Sequence, residues 1–378
     1  MKLTRNFNGK RFAGLVVWAI LGIAAPWQGR AAEVIYQLDP LPATGTVVVQ
    51  LFNSADTFVD LRDPVKVVSI PAGGPMSGRI ADLPAGEYAL MAYQDVNGNG
   101  RLDKNFIGIP REPLGFSNRH WPQGPPSFAR AAFRLESGDA PSFDIGLKPV
   151  FGRRGLLGVG AGVITQTSPY RGSQAVIVLP IPAISYIGDR VQIMGPAAQV
   201  GIVNRGAVSL AATVRYRLGA YRERDSSYLR GLGDRDDTAL GGLALQAKLP
   251  AGVRVSAGYE HDLLNRVNGG GGHLRVGKAF QQKLLTLSPY LALNGLTAGL
   301  ADYDYGVPAD RAREGRPAYR PGAVMTEEAG MSLFVELPGS WRLILNGSVT
   351  HLPSELTDSP IVDRAQVFGC FGAVNRLF

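Results

Sequence analysis

The chain has 378 residues, 45% of them hydrophobic and 19% charged, with a formal net charge of +8 and one cysteine, Cys370. That length suits two folding units better than one, and a lone cysteine excludes an internal disulfide. Residues 1–31 hold five Lys or Arg and no acid, so the charge beyond them falls to +3; no later stretch clusters basic residues with aromatics, and no nucleic-acid partner is expected.

Lys2, Arg5, Lys10 and Arg11 precede the apolar run Phe12 to Ala25, and Gly29-Arg30-Ala31 puts small residues where a signal peptidase reads. This predicts a secretory signal peptide over 1–31. The alternative, a transmembrane anchor, fails on length, because about 14 helical residues cannot cross a hydrocarbon core of about 30 Å.

Residues 36–148 alternate short apolar runs, such as Thr46 to Phe52 and Glu87 to Tyr93, with Pro/Gly punctuation at Pro71 to Pro75 and Leu83 to Gly86. The pattern predicts a small β-sandwich domain facing the periplasm. Its one chemical motif runs from Asp95 to Asp103. Asp95, Asn97, Asn99, Gly100, the Arg101 carbonyl, Leu102 and Asp103 stand where a calcium loop places its oxygen donors, its glycine and its apolar residue. Phe106 occupies the position of the bidentate glutamate, so the sequence predicts either a weak calcium site or a hydrogen-bonded Asn-Gly turn. Phe116, Trp121 and Phe128 in the following loop are expected to pack rather than stand in water.

From Gly155 the runs lengthen and alternate strictly with period two. Val253, Val255, Ala257 and Tyr259 interleave with Arg254, Ser256, Gly258 and Glu260, and Val208 to Arg217 and Trp341 to Thr350 behave likewise. One face suits lipid and the other water, over the length a tilted strand needs to cross a membrane. The spans 155–165, 174–187, 190–195, 198–203, 207–217, 238–249, 252–261, 271–280, 284–296, 325–337, 340–351 and 366–378 predict a transmembrane antiparallel β-barrel over 152–378 with about twelve strands. Ten is the alternative, because the third and fourth spans are short and Pro180 and Pro182 interrupt the second. Short and long connections alternate from residue 218 onward, as in outer-membrane barrels. An even strand count ending inside at Phe378 places residue 152 inside too, so the preceding domain hangs into the periplasm.

Two resemblances follow from these residues. Asp95 to Asp103 with Phe106-Ile107-Gly108-Ile109-Pro110 and Leu114-Gly115-Phe116-Ser117-Asn118 resembles a group of small secreted bacterial domains of unknown function, which implies an immunoglobulin-like or transthyretin-like sandwich. Ser168 to Ser173, Leu179 to Tyr186, Leu229 to Asp234, Tyr303 to Val307, Tyr319 to Gly322 and Asp358 to Val362 resemble, in order, the MipA/OmpV (MltA-interacting protein) outer-membrane family. That resemblance implies an outer-membrane barrel. For a founding member it implies a scaffold joining a lytic transglycosylase to a penicillin-binding protein in peptidoglycan growth; porins and adhesins are the alternative roles. Tyr305 stands where the family often has phenylalanine.

No enzyme is expected. Gly158 to Gly162 lies inside a strand pattern with no helix after it, so it is no nucleotide loop. His120, His261, His273 and His351 share no metal-ligand spacing, and Ser256 and His261 fall on opposite strand faces. The mixed charges at Arg222 to Asp225 and Asp234 to Asp237 read as a solvated outside loop that meets lipopolysaccharide, beside an apolar belt that meets outer-membrane lipid. Arg215, Arg217, Arg254, Gln246, Lys248, Glu260, Glu328 and Glu336 are expected to fill the lumen and pair across it.

Overall fold

A computed structural model describes residues 31–39, 42–151, 155–173 and 176–378. The expected signal peptide lies outside the described residues except for Ala31. Eight short strands come first: β1 Ala32–Asp39, β2 Thr46–Phe52, β3 Lys66–Pro71, β4 Ser77–Leu83, β5 Gly86–Asp95, β6 Leu114–Phe116, β7 Ala132–Leu135 and β8 Ser142–Gly146. They form a three-stranded sheet in the order β4-β1-β8 and a five-stranded sheet in the order β3-β2-β5-β6, with β7 also on β5.

Between the sheets lies a core that includes Val34, Tyr36, Leu38, Val47, Val49, Leu51, Leu90 and Ile145. A second core covers the opposite face of the larger sheet. There Phe52, Met91 and Tyr93 meet Phe58 of helix α1 (Ala55–Asp60) and Phe128 of helix α2 (Phe128–Ala131). Both faces of β5 are therefore covered, which is why Tyr88 to Tyr93 are buried without alternation. Phe116 and Phe128 pack as the sequence predicts. Trp121 does not: it remains 37% exposed, because the loop that carries it turns toward the barrel.

The remaining strands are β9 Leu156–Thr167, β10 Val176–Pro182, β11 Ser185–Ile187, β12 Val191–Met194, β13 Ala197–Arg205, β14 Val208–Arg217, β15 Thr238–Lys248, β16 Val253–Asp262, β17 Gly270–Lys278, β18 Phe280–Gln282, β19 Leu285–Leu296, β20 Val324–Leu337, β21 Trp341–His351 and β22 Gln366–Leu377. β10 with β11, and β17 with β18, are single strands interrupted, so the sheet is a closed twelve-stranded antiparallel barrel. It closes where β22 pairs with β9, from Gly369 opposite Gln166 to Leu377 opposite Gly158. The two short spans that left ten strands open form the β12–β13 hairpin.

Pro180 and Pro182 sit where they do least harm. Ala183 donates its N–H to Gly160 of β9, so odd-numbered amides of this strand face β9. The even positions, where both prolines lie, face the edge of β10 that carries no strand partner among the described residues. Along the wall, Val159, Leu243, Leu245, Leu291, Met331, Leu345 and Phe368 project outward and stay exposed, forming the belt that suits lipid.

Phe58 is fully buried and meets Phe52, Phe116 and Phe128 edge-on at 5.3, 5.5 and 5.7 Å between ring centres. Phe58→Ala should therefore destabilise the sandwich by about 3–5 kcal/mol, measured by thermal unfolding, while the barrel keeps its heat-modifiable electrophoretic shift.

Candidate functional site

The inward faces of the barrel strands carry the polar residues, and most of their charges pair. Arg215 Nε donates to Glu260 at 2.9 Å, and Glu328 accepts from Tyr290 and Asn294 at 2.8 and 3.0 Å with Arg275 at 3.8 Å. Near the short-turn end, Arg342 and Asn375 both donate to Ser185, and all three are buried. Of these groups, Arg215, Glu260, Arg275, Asn294 and Glu328 line a cavity of about 710 Å³. Glu336 pairs outside the lumen set, as described below, and Arg254 and Lys248 have no carboxylate partner among the described residues. Their expected cross-pairing does not occur, because the strand neighbour facing Lys248 is Arg254 itself.

At the long-loop end the lumen is roofed. Helix α3 (Ala298–Tyr305) crosses it, with Asp304 paired to Arg217 of β14. Around α3, Tyr170, Tyr221, Leu229, Leu232, Val307, Leu356 and Ile361 form a hydrophobic cluster. Arg235 is held between the rings of Tyr221 and Tyr303, 4.8 Å from each centre. Burial lifts the Tyr170 hydroxyl well above its ordinary range and that of Tyr221 to about 12, and it raises the Asp304 carboxyl against the pull of Arg217. The roof is dry.

At the short-turn end the sandwich covers the mouth and touches the inner ends of five hairpins. Asn105 Nδ2 donates to the Gly188 carbonyl at 3.0 Å, and Arg111 Nε lies 2.7 Å from Asp189. Asn204 Nδ2 donates to the Lys104 and Asn105 carbonyls at 2.9 and 3.0 Å. Helix α1 packs on the turn Pro250–Gly252, and Gln281 Nε2 donates to the Pro125 carbonyl at 2.7 Å. Glu336 accepts from the Gln123 amide with one oxygen and from the Arg130 guanidinium with the other. Two sandwich loops enter the lumen. Phe106 lies on inward-facing Gly201, where a Cβ would sit 2.5 Å from the ring, and Gly124 lies on the ring of Phe334.

The loop Asp95 to Asp103 forms the root of the first of these intrusions. The Asp95 carboxylate accepts the amides of Gly98, Asn99 and Gly100, while Asn97 and Asn99 donate their side-chain amides to Asp103 at 2.7 and 3.0 Å. The Arg101 amide donates to Asn99 Oδ1. Sequence reading missed Glu112, which accepts the amides of Val96 and Asp103 and clamps the loop at its base. It also missed Asn105, whose side-chain oxygen accepts the amides of Ile107 and Ile109 and so shapes the tip. Glu112 stands in the stretch Phe106 to Asn118 that carries the N-terminal resemblance, but nothing there assigned it a role; the other visible signal was Phe106, an apolar side chain where a calcium loop wants an acid.

His120 holds the second intruding loop, accepting the Ser127 amide on Nε2 at 3.2 Å. Burial, with Arg130 nearby, lowers its pKa from 6.5 to about 4. Between those values the unfolded chain binds a proton that the folded one refuses, so stability should be level above pH 6.5 and fall as pH drops through the window. The loss is on the order of 3 kcal/mol. Urea unfolding followed from pH 7.5 to 4 should show this slope, and His120→Gln should remove it.

The family model "MltA-interacting protein MipA" matches residues 159–378, and the model "Uncharacterized protein conserved in bacteria (DUF2141)" matches 41–142. Outer membrane protein YiaT of Escherichia coli (strain K12) is 28% identical over 59% of this chain and 91% of its own length. The MltA-interacting protein of the same strain is 26% identical over 56% and 86%, and outer membrane protein OmpV of Vibrio cholerae is 26% identical over 43% and 62%. Among solved structures, the CymD monoaromatic hydrocarbon channel aligns at 9% identity and a TM-score of 0.31, covering 60% of this chain and 89% of that one. OmpT of Vibrio cholerae aligns at 8% and 0.27, covering 92% and 96%. A closed barrel with an apolar belt, and relatives named as outer membrane proteins, place the chain in the outer membrane. Its barrel carries the family model from β9 to the last residue, and the chain belongs to the family of the MltA-interacting protein MipA.

Proposed function

We propose that this protein is a non-catalytic scaffold, in which the barrel anchors the sandwich at the periplasmic face of the outer membrane and presents it to peptidoglycan enzymes. The observation that carries this reading is the double closure of the lumen: sandwich loops occupy the inner mouth, and α3 with its aromatic cluster occupies the outer one. A conduit has little use for such a plug, whereas a docking protein needs its sandwich held rigidly. Support also comes from a relative whose name describes interaction with MltA; a lytic transglycosylase and a penicillin-binding protein are the partners this role requires. The belt contacts membrane lipid, and the outer loops contact lipopolysaccharide.

The test pairs two measurements. Crosslinking in intact cells from exposed sandwich positions such as Arg79 should capture a cell-wall enzyme, and the purified barrel in planar bilayers should show no large, stable conductance. Large, stable conductance with no cell-wall partner captured would overturn the scaffold reading in favour of a porin.

We also propose that Asp95, Asn97, Asn99, the Arg101 carbonyl and Asp103 take up calcium weakly and stiffen the root of the plug. Asn97 and Asn99 already converge on Asp103 through their amide nitrogens; half a turn of each amide would offer oxygens to an ion, at the cost of the backbone amides their oxygens now accept. Binding to the folded state alone raises the melting temperature. The sandwich transition of the full chain should therefore move upward in millimolar calcium relative to chelator, and coincident curves would leave only the hydrogen-bonded turn.

A further inference from the structure

The seam between sandwich and barrel holds a second, partly open chamber of about 320 Å³ that adjoins the larger cavity beneath the roof, with Ser256 and Arg275 lining both. Lys104 and Phe106 contribute from the sandwich loop, and Lys248, Arg254 and Arg275 from the barrel. No Asp or Glu appears among its described lining residues.

The barrel cations are placed by register. Lys248 and Arg254 stand directly opposite each other on β15 and β16, and Arg275 on β17 pairs with Ser256, one inward position further along β16. Like charges opposite one another on a sheet repel. Arg275 is partly satisfied by Glu328 and by the Tyr290 ring, 4.0 Å from its guanidinium. Lys104 donates to the Asp60 carbonyl. Lys248 and Arg254 have no hydrogen-bond acceptor and no carboxylate partner among the described residues. The loop is fitted to this crowd: Gly108 has a φ of +88° and passes so close to the Lys248 ammonium that a Cβ would collide with it. Burial, and then the charge of Lys248, lower the Lys104 ammonium to a pKa of about 8. Neutral donors complete the wall, including Ser209, Gln246 and Ser256.

Of the five cations that line this partly enclosed space, Lys278 lies over the Phe280 ring and Arg275 reaches Glu328 at 3.8 Å. Lys104, Lys248 and Arg254 have no carboxylate within ion-pair distance among the described residues, and Lys104 and Lys248 feel Asp60 only from further off, so positive charge exceeds negative there. We propose that this chamber binds a small multivalent oxyanion of the phosphate type, held by Lys104, Lys248, Arg254 and Arg275, and that the anion latches the sandwich to the barrel. The latch follows from ownership: one cation belongs to the sandwich and three to the barrel, so the complete site exists only when the two are docked. By linkage, whatever binds the docked state alone favours docking by the factor 1 + [anion]/Kd. Polar donors beside the cations suit an oxyanion with several acceptor oxygens better than chloride.

The experiment uses the full mature chain folded in detergent, titrated calorimetrically with inorganic phosphate at constant ionic strength, with sodium chloride and glycerol phosphate as parallel arms. Phosphate should bind saturably at one site while chloride does not. Matching affinity for glycerol phosphate would identify the ligand as a phosphoryl group on a larger molecule, and weaker affinity would identify a free ion. Lys104→Gln and the double variant Lys248→Gln/Arg254→Gln should each lose at least about tenfold in affinity, while Arg224→Gln on an outer loop should not. Phosphate at ten times its Kd should slow proteolysis between sandwich and barrel by about tenfold. Heat-modifiable migration checks that the barrel variants fold; if the double variant does not, Lys104→Gln, on a loop outside the wall, decides alone. No saturable phosphate heat with the unaltered chain up to about 10 mM, or unchanged affinity in Lys104→Gln, would overturn the proposal.

Discussion

The membrane imposes one requirement on which everything else rests: every backbone N–H and C=O within the hydrocarbon must find a partner inside the protein. A sheet meets it by closing, and the pairing of β22 with β9 is that closure. With an even number of antiparallel strands, closure also forces β9 to start on the side where β22 ends. The sandwich precedes β9 directly, so the wall that satisfies the membrane also decides which mouth the sandwich covers.

Closure then shifts the difficulty inward. A narrow barrel with a polar inner face must either admit water or satisfy its charges internally. This one does mostly the second, through Arg215 with Glu260, Glu328 with its three neighbours, and Arg217 with Asp304. The roof and the plug belong to the same solution, since each delivers residues from outside the wall to partners on it. Arg130 reaching Glu336 is the clearest case: Glu336 is buried while Arg130 is partly exposed, and losing Arg130 would leave the carboxylate's charge behind without a partner, so the plug is tied to the rim by more than shape.

The wall was largely legible in the sequence, because most strands between lipid and a polar lumen alternate and periodicity is a local property, although Val176 to Leu179 of β10 and the inward Phe334 and Ile344 depart from the pattern. The interruption at Pro180 and Pro182 was legible too, since a missing N–H is written in the residue itself. Contacts between distant segments were not. Nothing in the chain announces that Asn204 receives the loop at Lys104, or that Gly201 and Gly124 are glycines because an aromatic ring lies on each. Helix α3 escaped notice for a different reason: eight residues with almost no amphipathic bias look like the loop that surrounds them. Lys248 and Arg254 were misjudged because counting charges on one face says that pairing is possible, and only register says with whom.

The sandwich rests on turns drawn from the whole length of the barrel, from Gly188 near the first hairpin to Leu337 near the last. That distribution has a temporal meaning. The sandwich is made first and its fold is self-contained, yet the ring of turns it grips is complete only when the final hairpin has found its place. A barrel stalled part-way offers only an arc of that ring, and the plug loops would meet an open lumen with no far wall. Seating of the sandwich is therefore a late event by geometry alone, and it distinguishes a finished barrel from an unfinished one.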